Sequence, residues 1–572
     1  MGKLTGIAGI ALALLLAFSM TAWAEGSSEE AMAAEDMVIA DPSWTTDTSP
    51  ITLTFFFDAM AGSDSNLNEH YGDDELTSMF VEENGVDFDM TFAPDSDQTM
   101  LNVLLASGDL PDMMRLSHNL QQSTQLVQRG LVHDLDALSQ KFAPKYMDNW
   151  DSRIRLYYRM HFDDMGFYFH PSYYVTDEQI ESPLVLKAMQ GVTVLKEVYE
   201  HLGAPEINNT DDYIDLLRRV KQEFPELTPV QSLRGPSPDK DGNPRVVERA
   251  LPLGGLNQRF FQRDDGVWYK YWEHEDFVKV LQFANTLYNE QLIARTEFTE
   301  KQPQLWGNMM TKIFSELNQD ADNAAGIHKA TDFIQARAPL AEKLGVESLR
   351  FIMLPAFTIE PHMKYEIDDL RGGVGGSGVM VTTQAERPDR AIQWLDWLAQ
   401  ESTQKRMIFG IEGVHSDPRD FRGYDIPVTR QYLRDFQAEN PGPQLYRAKY
   451  GLGSMYLFRD KYTAEQGGWP NLDEIGQQIY DTALSNYTDL MKFRGVDNYT
   501  AGSEEEKIAA TIKDYYSTQI FDIISGSADA VQAGYDEMIA TMRDLGLDTL
   551  NAWYTQVLNG HAERVAKYSV GL

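Results

Sequence analysis

The sequence predicts an α/β chain, and three observations carry that prediction. Ile51-Thr52-Leu53-Thr54-Phe55-Phe56-Phe57 is a continuous apolar run rich in β-formers, the pattern of a strand buried on both faces in a parallel sheet. Val86 to Phe92 reads as a second strand, with helical character between the two from Glu75 to Glu83. A helix then carries Met100, Leu101, Leu104 and Leu105 on one face, with Asp97 as its expected cap and Gly108 as its C-terminal stop. Strand, helix, strand, helix is the order of an α/β fold.

Composition bounds the rest. The 572 residues include 87 acidic and 49 basic side chains, for a formal charge of −38, and no cysteine. Disulfides, Cys-ligated zinc, iron–sulfur clusters and thiol nucleophiles are excluded. A strongly acidic chain repels phosphate, so no nucleic-acid partner is expected. With 43% hydrophobic residues, 10 Trp, 27 Tyr and 27 Phe, the chain has material for a sizeable core. Its length allows roughly two to four domain-sized units.

Taken in order, residues 1–24 read as a cleavable signal peptide: Lys3, an apolar stretch from Ile7 to Met20, then Ala22-Trp23-Ala24 as the cleavage signal. The apolar stretch is short for a membrane span of ~30 Å. Cleavage would remove one Lys and leave a charge of 48 − 87 = −39. Residues 25–44, rich in Glu, Ser and Ala, are expected to be a flexible leader. Beyond the opening strands, helices are expected over 184–202 and 211–224, the latter capped by Thr210 or Asp211. Residues 225–255 look loop-rich, and 277–287 is amphipathic. Val379 to Thr383 reads as a strand, Pro388 opens a helix with Ile392, Leu395 and Leu398 on one face, and Gly410 closes the segment. Val531, Tyr535, Met538 and Met542 recur at helical spacing.

Several motifs fail on context. Gly373-Val374-Gly375-Gly376-Ser377-Gly378 matches a dinucleotide fingerprint but precedes a strand instead of following one, so it reads as a turn needing positive φ. Asp239-Lys240-Asp241-Gly242-Asn243 begins like a calcium loop, but Pro244 stands where the loop needs Gly and no Glu occupies the twelfth position. A surface hairpin turn is expected there. No serine-hydrolase, zinc-protease or P-loop signature occurs, so no catalytic residue, metal or cofactor is predicted. Paired-carboxylate glycosidase chemistry leaves no motif by which to exclude it.

An ordered set of segments resembles the extracellular solute-binding proteins of ABC transporters, family 1, in the LipO-like carbohydrate-binding group. They are Leu104-Leu105-Ala106-Ser107-Gly108-Asp109-Leu110-Pro111-Asp112; Gly130 to Leu135 leading to Phe142-Ala143-Pro144-Lys145-Tyr146; Leu202-Gly203 through Thr210-Asp211-Asp212-Tyr213; Ala284 to Glu290; and Gly375-Gly376-Ser377-Gly378 through Ala391 to Leu398 to Phe409-Gly410-Ile411-Glu412-Gly413-Val414-His415. The resemblance implies a type II periplasmic-binding-protein fold, two α/β lobes joined by a hinge with the ligand in the cleft between them. It implies three crossings, with one lobe at 45–175 and 372–430 and the other at 176–371 and 431–572. It further implies a non-enzymatic, monomeric protein that captures an oligosaccharide outside the cytoplasm and delivers it to a membrane permease. Some relatives carry a calcium loop after the Thr-capped helix; residues 225–235 lack its acids, so none is carried over. Most relatives are Cys-anchored lipoproteins, and this chain has no such Cys, which implies a freely diffusing periplasmic protein. A peptide-binding receptor and a secreted glycoside hydrolase are the rival readings.

Sugar recognition needs aromatic faces for ring C–H surfaces and polar side chains for hydroxyls. The candidates are Asp58 at the end of the first strand, Asp109 beside Pro111, Tyr173, Tyr174, Trp268, Trp272, Trp306, Glu412, His415 and Trp469. Asp109 and Asp112, which flank Pro111, read equally as turn and cap chemistry. Trp394 and Trp397 fall in a packed helix and read as core. An acidic sugar would require local Arg or Lys in the cleft, with Arg153, Arg155 and Arg371 among the candidates.

Overall fold

A computed structural model of the protein describes residues 38–58, 71–93, 98–118, 120–174, 190–232, 239, 241–298, 302–320, 331–365, 367–368, 376–421, 424–425, 427–439, 449–452, 458–459, 487–488, 493, 495–500 and 502–572. The signal-peptide reading, Asp97, Arg371 and Trp469 lie outside these residues.

Two sheets organise the chain. The first has the order β2-β1-β3-β9-β4, built from β1 (Ile51–Phe57), β2 (Val86–Phe92), β3 (Met113–Ser117), β4 (His170–Pro171) and β9 (Ser377–Val381). Here β1 pairs in parallel with β2 and β3, while β9 runs antiparallel to β3 and β4. The second has the order β8-β5-β7-β6, from β5 (Gln190–Leu195), β6 (Thr228–Gln231), β7 (Ile313–Asp320) and β8 (Phe351–Met353). Here β6 and β7 are parallel, and β5 is antiparallel to both β7 and β8.

The β1 run behaves as its composition demands. Leu53, Phe55, Phe56 and Phe57 are buried, and the rings of Phe55 and Phe57 meet those of Phe88 and Phe92 of β2 at a tilt, with centroid distances of 5.4 and 5.5 Å. The helix Pro388–Ala399 packs on this sheet. Trp394 lies edge-on to Phe88 and Trp397 edge-on to Phe80, so both indoles serve the core, as their helix spacing suggests.

Each sheet has its own apolar core, and the chain alternates between them: 53–169, then 192–365, then 379–452, then 496–558. The return to the second core comes later than the boundary expected at 430, because Leu433, Phe436, Tyr450 and Leu452 pack with the first. The expected leader is also partly structured: Ser43 is buried, its hydroxyl donating to Asp396 Oδ2 at 2.5 Å, and Trp44 packs on the first core.

Four local expectations give way. The segment 184–202 is not one helix; Gln190–Leu195 is strand β5, followed by the short helix Lys196–His201. The β-branched Val192-Thr193-Val194 run favours the strand. At Gly191 an added Cβ would stand 2.4 Å from Met353 Sδ, so the Met353 side chain of β8 packs over the glycine. The helix Thr210–Glu223 is capped by Asn209, whose Oδ1 accepts from the backbone N–H groups of Asp211 and Asp212. The loop-rich stretch 225–255 contains β6 and the helix Arg245–Ala250. Gly378 serves close approach, not positive φ: a Cβ there would lie 2.6 Å from the His170 carbonyl.

Candidate functional site

In the first sheet the C-terminal ends of β1, β3 and β4 and the N-terminal end of β9 share one edge. The strand order places Asp58, Arg115, His118, Ser172 and Ser377 along it. Asp58 is fully buried, and its N–H donates to the Arg115 carbonyl at 3.1 Å. The Arg115 guanidinium sits 4.8 Å over the Phe57 ring, and its Nη2 donates to Ser377 Oγ at 3.3 Å. The Ser172 hydroxyl lies 2.7 Å from both the Ser377 carbonyl and its Oγ. Beneath the edge, Tyr157 Oη meets His118 Nε2 at 3.0 Å, and His161 Nε2 donates to the His118 carbonyl at 2.7 Å. Tyr146 Oη meets His170 Nδ1 at 3.0 Å, and complete burial pushes the His170 imidazole down to a pKa of about 3, so it stays neutral.

The second sheet offers a polar patch where the end of β6 meets the middle of β7. Gln231 and Glu316 are register partners, both nearly fully buried. Ser232 follows Gln231 and donates to Glu297 through its N–H at 2.9 Å and through its hydroxyl. The Gln231 amide donates to the Leu305 carbonyl at 3.1 Å. Below, Tyr213 Oη and Ser315 Oγ are 2.5 Å apart, and Ser315 donates to the Thr193 carbonyl at 2.7 Å.

Segments of the second core reach across to the first. Asn498 donates to the His161 carbonyl, and Gln121 donates to Glu506 Oε1. Arg564 donates to the Met160 carbonyl at 3.0 Å, while Arg159 donates to the carbonyls of Tyr568 and Val570 at 3.1 and 2.9 Å. The helix Ser152–Phe162 is thereby bolted to the helix His561–Tyr568 and to the turn at 495–498, beside His118 and His161.

The sequence candidates scatter relative to these patches. Asp58 lies in the first. Asp109 is exposed and, with Asp112, precedes β3 at the opposite end of the parallel strands. Asp112 ties strands together: its carboxylate accepts from the N–H and hydroxyl of Thr54, both at 2.7 Å, and from the Glu386 N–H at 3.0 Å. Tyr173 and Tyr174 follow β4 closely and pair in parallel with Phe458 and Arg459. Trp272 is core, between Tyr271 and Tyr516. Trp268 is half-buried, its Nε1 donating to Asn559 Oδ1 at 3.0 Å. Trp306 belongs to the helix Gln302–Thr311. Glu412 is exposed in the turn after Gly410. His415 is buried, closes that turn by accepting the Ile411 N–H at 3.1 Å, and reaches Glu75 at 3.3 Å. Arg155 is held by Asp136 at 3.1 Å.

Sequence reading passed over Arg115, His118, Ser172, Ser377, Gln231, Ser232, Glu297 and Glu316. For two of them a signal existed. Arg115 interrupts Met113-Met114-Arg115-Leu116, and Glu316 interrupts Ile313-Phe314-Ser315-Glu316-Leu317. A charge inside an apolar strand run must be compensated, and strand ends are where ligands do this.

Among the described residues no helix is long and apolar enough to cross a membrane, and no group of three or more His, Asp or Glu is placed to hold a metal ion. No protein-family model and no curated protein sequence matches the chain. Solved structures do. The chain is similar to the alginate-binding protein AlgQ2, solved without calcium ion, at 18% identity over 92% of this chain and 99% of that one, with a TM-score of 0.63. It is similar to the Streptococcus pneumoniae ABC-transporter substrate-binding protein FusA in complex with kestose, at 16% identity over 90% and 100% of the two chains, with a TM-score of 0.60. It is also similar to the N-glycan transport solute-binding protein NgtS of S. pneumoniae, at 10% identity over 89% and 99%, with a TM-score of 0.51. The first is named for alginate binding, the second is described with bound kestose, and the third is named for N-glycan transport. At such identities the likeness is one of architecture: the chain has the two-lobe α/β fold of solute-binding proteins.

Proposed function

We propose that the chain is an extracytoplasmic solute-binding protein of an ABC importer, of the family 1, LipO-like kind, that captures an oligosaccharide between its lobes and hands it to a membrane permease. The observation that carries this reading is a pair of buried polar patches, one along the strand ends of the first sheet and one at the end of β6 in the second. In open α/β sheets ligands bind outside the carboxyl ends of strands. Asp58, Arg115, Ser172 and Ser377 in one patch, with Gln231, Ser232 and Glu316 in the other, supply hydrogen-bond donors and acceptors for sugar hydroxyls. Tyr173 and Tyr174, which follow β4 closely in the chain, are the aromatic residues proposed to meet the sugar ring. Contacts with both patches would favour a closed arrangement, which is how a ligand shifts a hinge equilibrium. The signal peptide, periplasmic location and absence of a lipid anchor belong to the same proposal, as does the absence of covalent chemistry.

The test is isothermal titration of the purified chain against pectic, xylan, mannan and alginate oligosaccharides, with peptides as a second panel. Saturable binding of one oligosaccharide class without release of reducing ends is expected. Binding confined to peptides, or hydrolysis of a glycan, would replace the proposal with one of its rivals. Silence across the panel, with no sugar retained on protein from its host in native mass spectrometry, would sink it.

A further inference from the structure

The turn at Asp239 to Asn243 is the one motif that the proposed function leaves unused. The structure keeps the turn but not its expected surface position. The Gly242 N–H donates to the Asp239 carbonyl at 3.0 Å, the Asp239 N–H donates to the Asn243 carbonyl at 3.0 Å, and Gly242 has φ +95°. Yet Asp239, Asp241 and Asn243 are all buried.

A calcium loop spends the side-chain oxygens at its first, third and fifth positions on the ion. Those oxygens are committed otherwise here. Asp239 Oδ1 accepts the N–H groups of Asp241 and Asn243, each at 2.9 Å, and Oδ2 accepts from Asn243 Nδ2 at 3.0 Å and Arg259 Nη1 at 3.1 Å. Asp241 Oδ1 is 2.8 Å from Lys270 Nζ, and its Oδ2 accepts from Arg259. Asn243 Oδ1 accepts from Tyr516 Oη at 2.5 Å. Lys270 also contacts Asp497 Oδ1 at 2.8 Å, and its ammonium lies 5.0 Å from the Trp272 ring centre. A divalent ion does not fit this set, because two side-chain cations already neutralise the carboxylates. Burial alone would pull the Lys270 pKa down, but Asp241 and Asp497 hold it well above its ordinary value.

We propose that Arg259 and Lys270 are the resident cations of this turn, standing where a divalent ion would otherwise neutralise Asp239 and Asp241, so that the second lobe folds and stays folded without calcium. Arg259 and Lys270 come from strands Phe260–Gln262 and Trp268–Lys270 or their flank, and Asp497 from the last return of the chain. The cluster therefore joins three separate segments of the lobe, the task a structural ion performs.

Thermal unfolding of the full chain, with excess calcium chloride and with excess EDTA, tests this. Wild type and Asp241→Asn are each expected to show the same Tm in both solutions; an equal calcium response in the two, zero included, places any ion elsewhere and supports the proposal. Lys270→Met is expected to unfold at lower temperature in EDTA and to recover part of the loss in calcium, because the exposed need of Asp241 and Asp497 for a positive charge remains. A wild-type Tm that calcium raises and Asp241→Asn abolishes would overturn the proposal. So would a folded Lys270→Met variant whose Tm is unchanged in EDTA or indifferent to calcium. If Lys270→Met does not fold, the wild-type and Asp241→Asn comparison decides alone.

Discussion

Each lobe buries a polar network of a different kind. One in the first lobe is neutral: Tyr157 with His118, His161 with a backbone carbonyl, and Tyr146 with His170. The second uses charges, setting Arg259 and Lys270 against Asp239, Asp241 and Asp497. A neutral network is cheap to desolvate but is lost when a proton is forced on it. An ionic cluster is expensive to desolvate and resists pH, but it fails when any one partner is removed. The difference predicts that acid attacks the first lobe and single charge deletions attack the second.

The largest expected effect is Lys270→Met, which strands Asp241 and Asp497 in the interior and should cost about 3–5 kcal/mol in urea unfolding. Combining it with Asp241→Asn should cost less than the sum of the two single changes; strict additivity would deny the cluster its coupling.

Next comes acid. His170 has its pKa lowered from 6.5 to about 3 in the folded state. As the pH falls below 6.5 the unfolded chain binds a proton that the folded chain refuses until about pH 3. Stability should therefore fall across that window, by on the order of a few kcal/mol at its end. His170→Asn should flatten this slope in melting curves recorded from pH 7 to 4. An unchanged slope would remove His170 as the source.

Tyr157→Phe should cost about 1–3 kcal/mol, since it leaves buried His118 Nε2 without that hydroxyl. Asn209→Ala, which removes a helix cap in the second lobe outside the ionic cluster, should cost about 1 kcal/mol. If the cap mutation proved as damaging as Lys270→Met, the ionic cluster would not be what distinguishes the second lobe.

Legibility in the sequence followed the range of the forces involved. β1 was readable because seven residues of one pattern sit together, and the helix beginning at Pro388 because proline and periodicity agree, although it stops at Ala399 and Gly410 caps a separate helix, Glu401–Phe409. The strand β5 was hidden because Leu184 to Leu202 mixes strand and helix signals, and its partners β7 and β8 lie more than a hundred residues away. The site was hardest. Asp58 could be placed from the end of one strand. Arg115, Ser172 and Ser377 meet only after β9 has threaded between β3 and β4. Aromatic content misled in the case of Trp272, since nothing local separates a core indole from one that meets a ligand. The turn at Asp239 was read correctly as a turn and wrongly as surface, because the charges that bury it come from Arg259, Lys270 and Asp497.

The place of β9 inside the first sheet also sets a timetable. β3 ends at Ser117, and its partner β9 begins at Ser377, 377 − 117 = 260 residues later. A ribosome adding roughly 5–20 residues per second leaves the edge of β3 open for on the order of tens of seconds. Pairings this distant in sequence are also slow to form once both strands exist. For a chain that, in the function proposed, must pass through a secretion channel unfolded, late closure of its first sheet keeps the nascent protein exportable without any dedicated unfolding step.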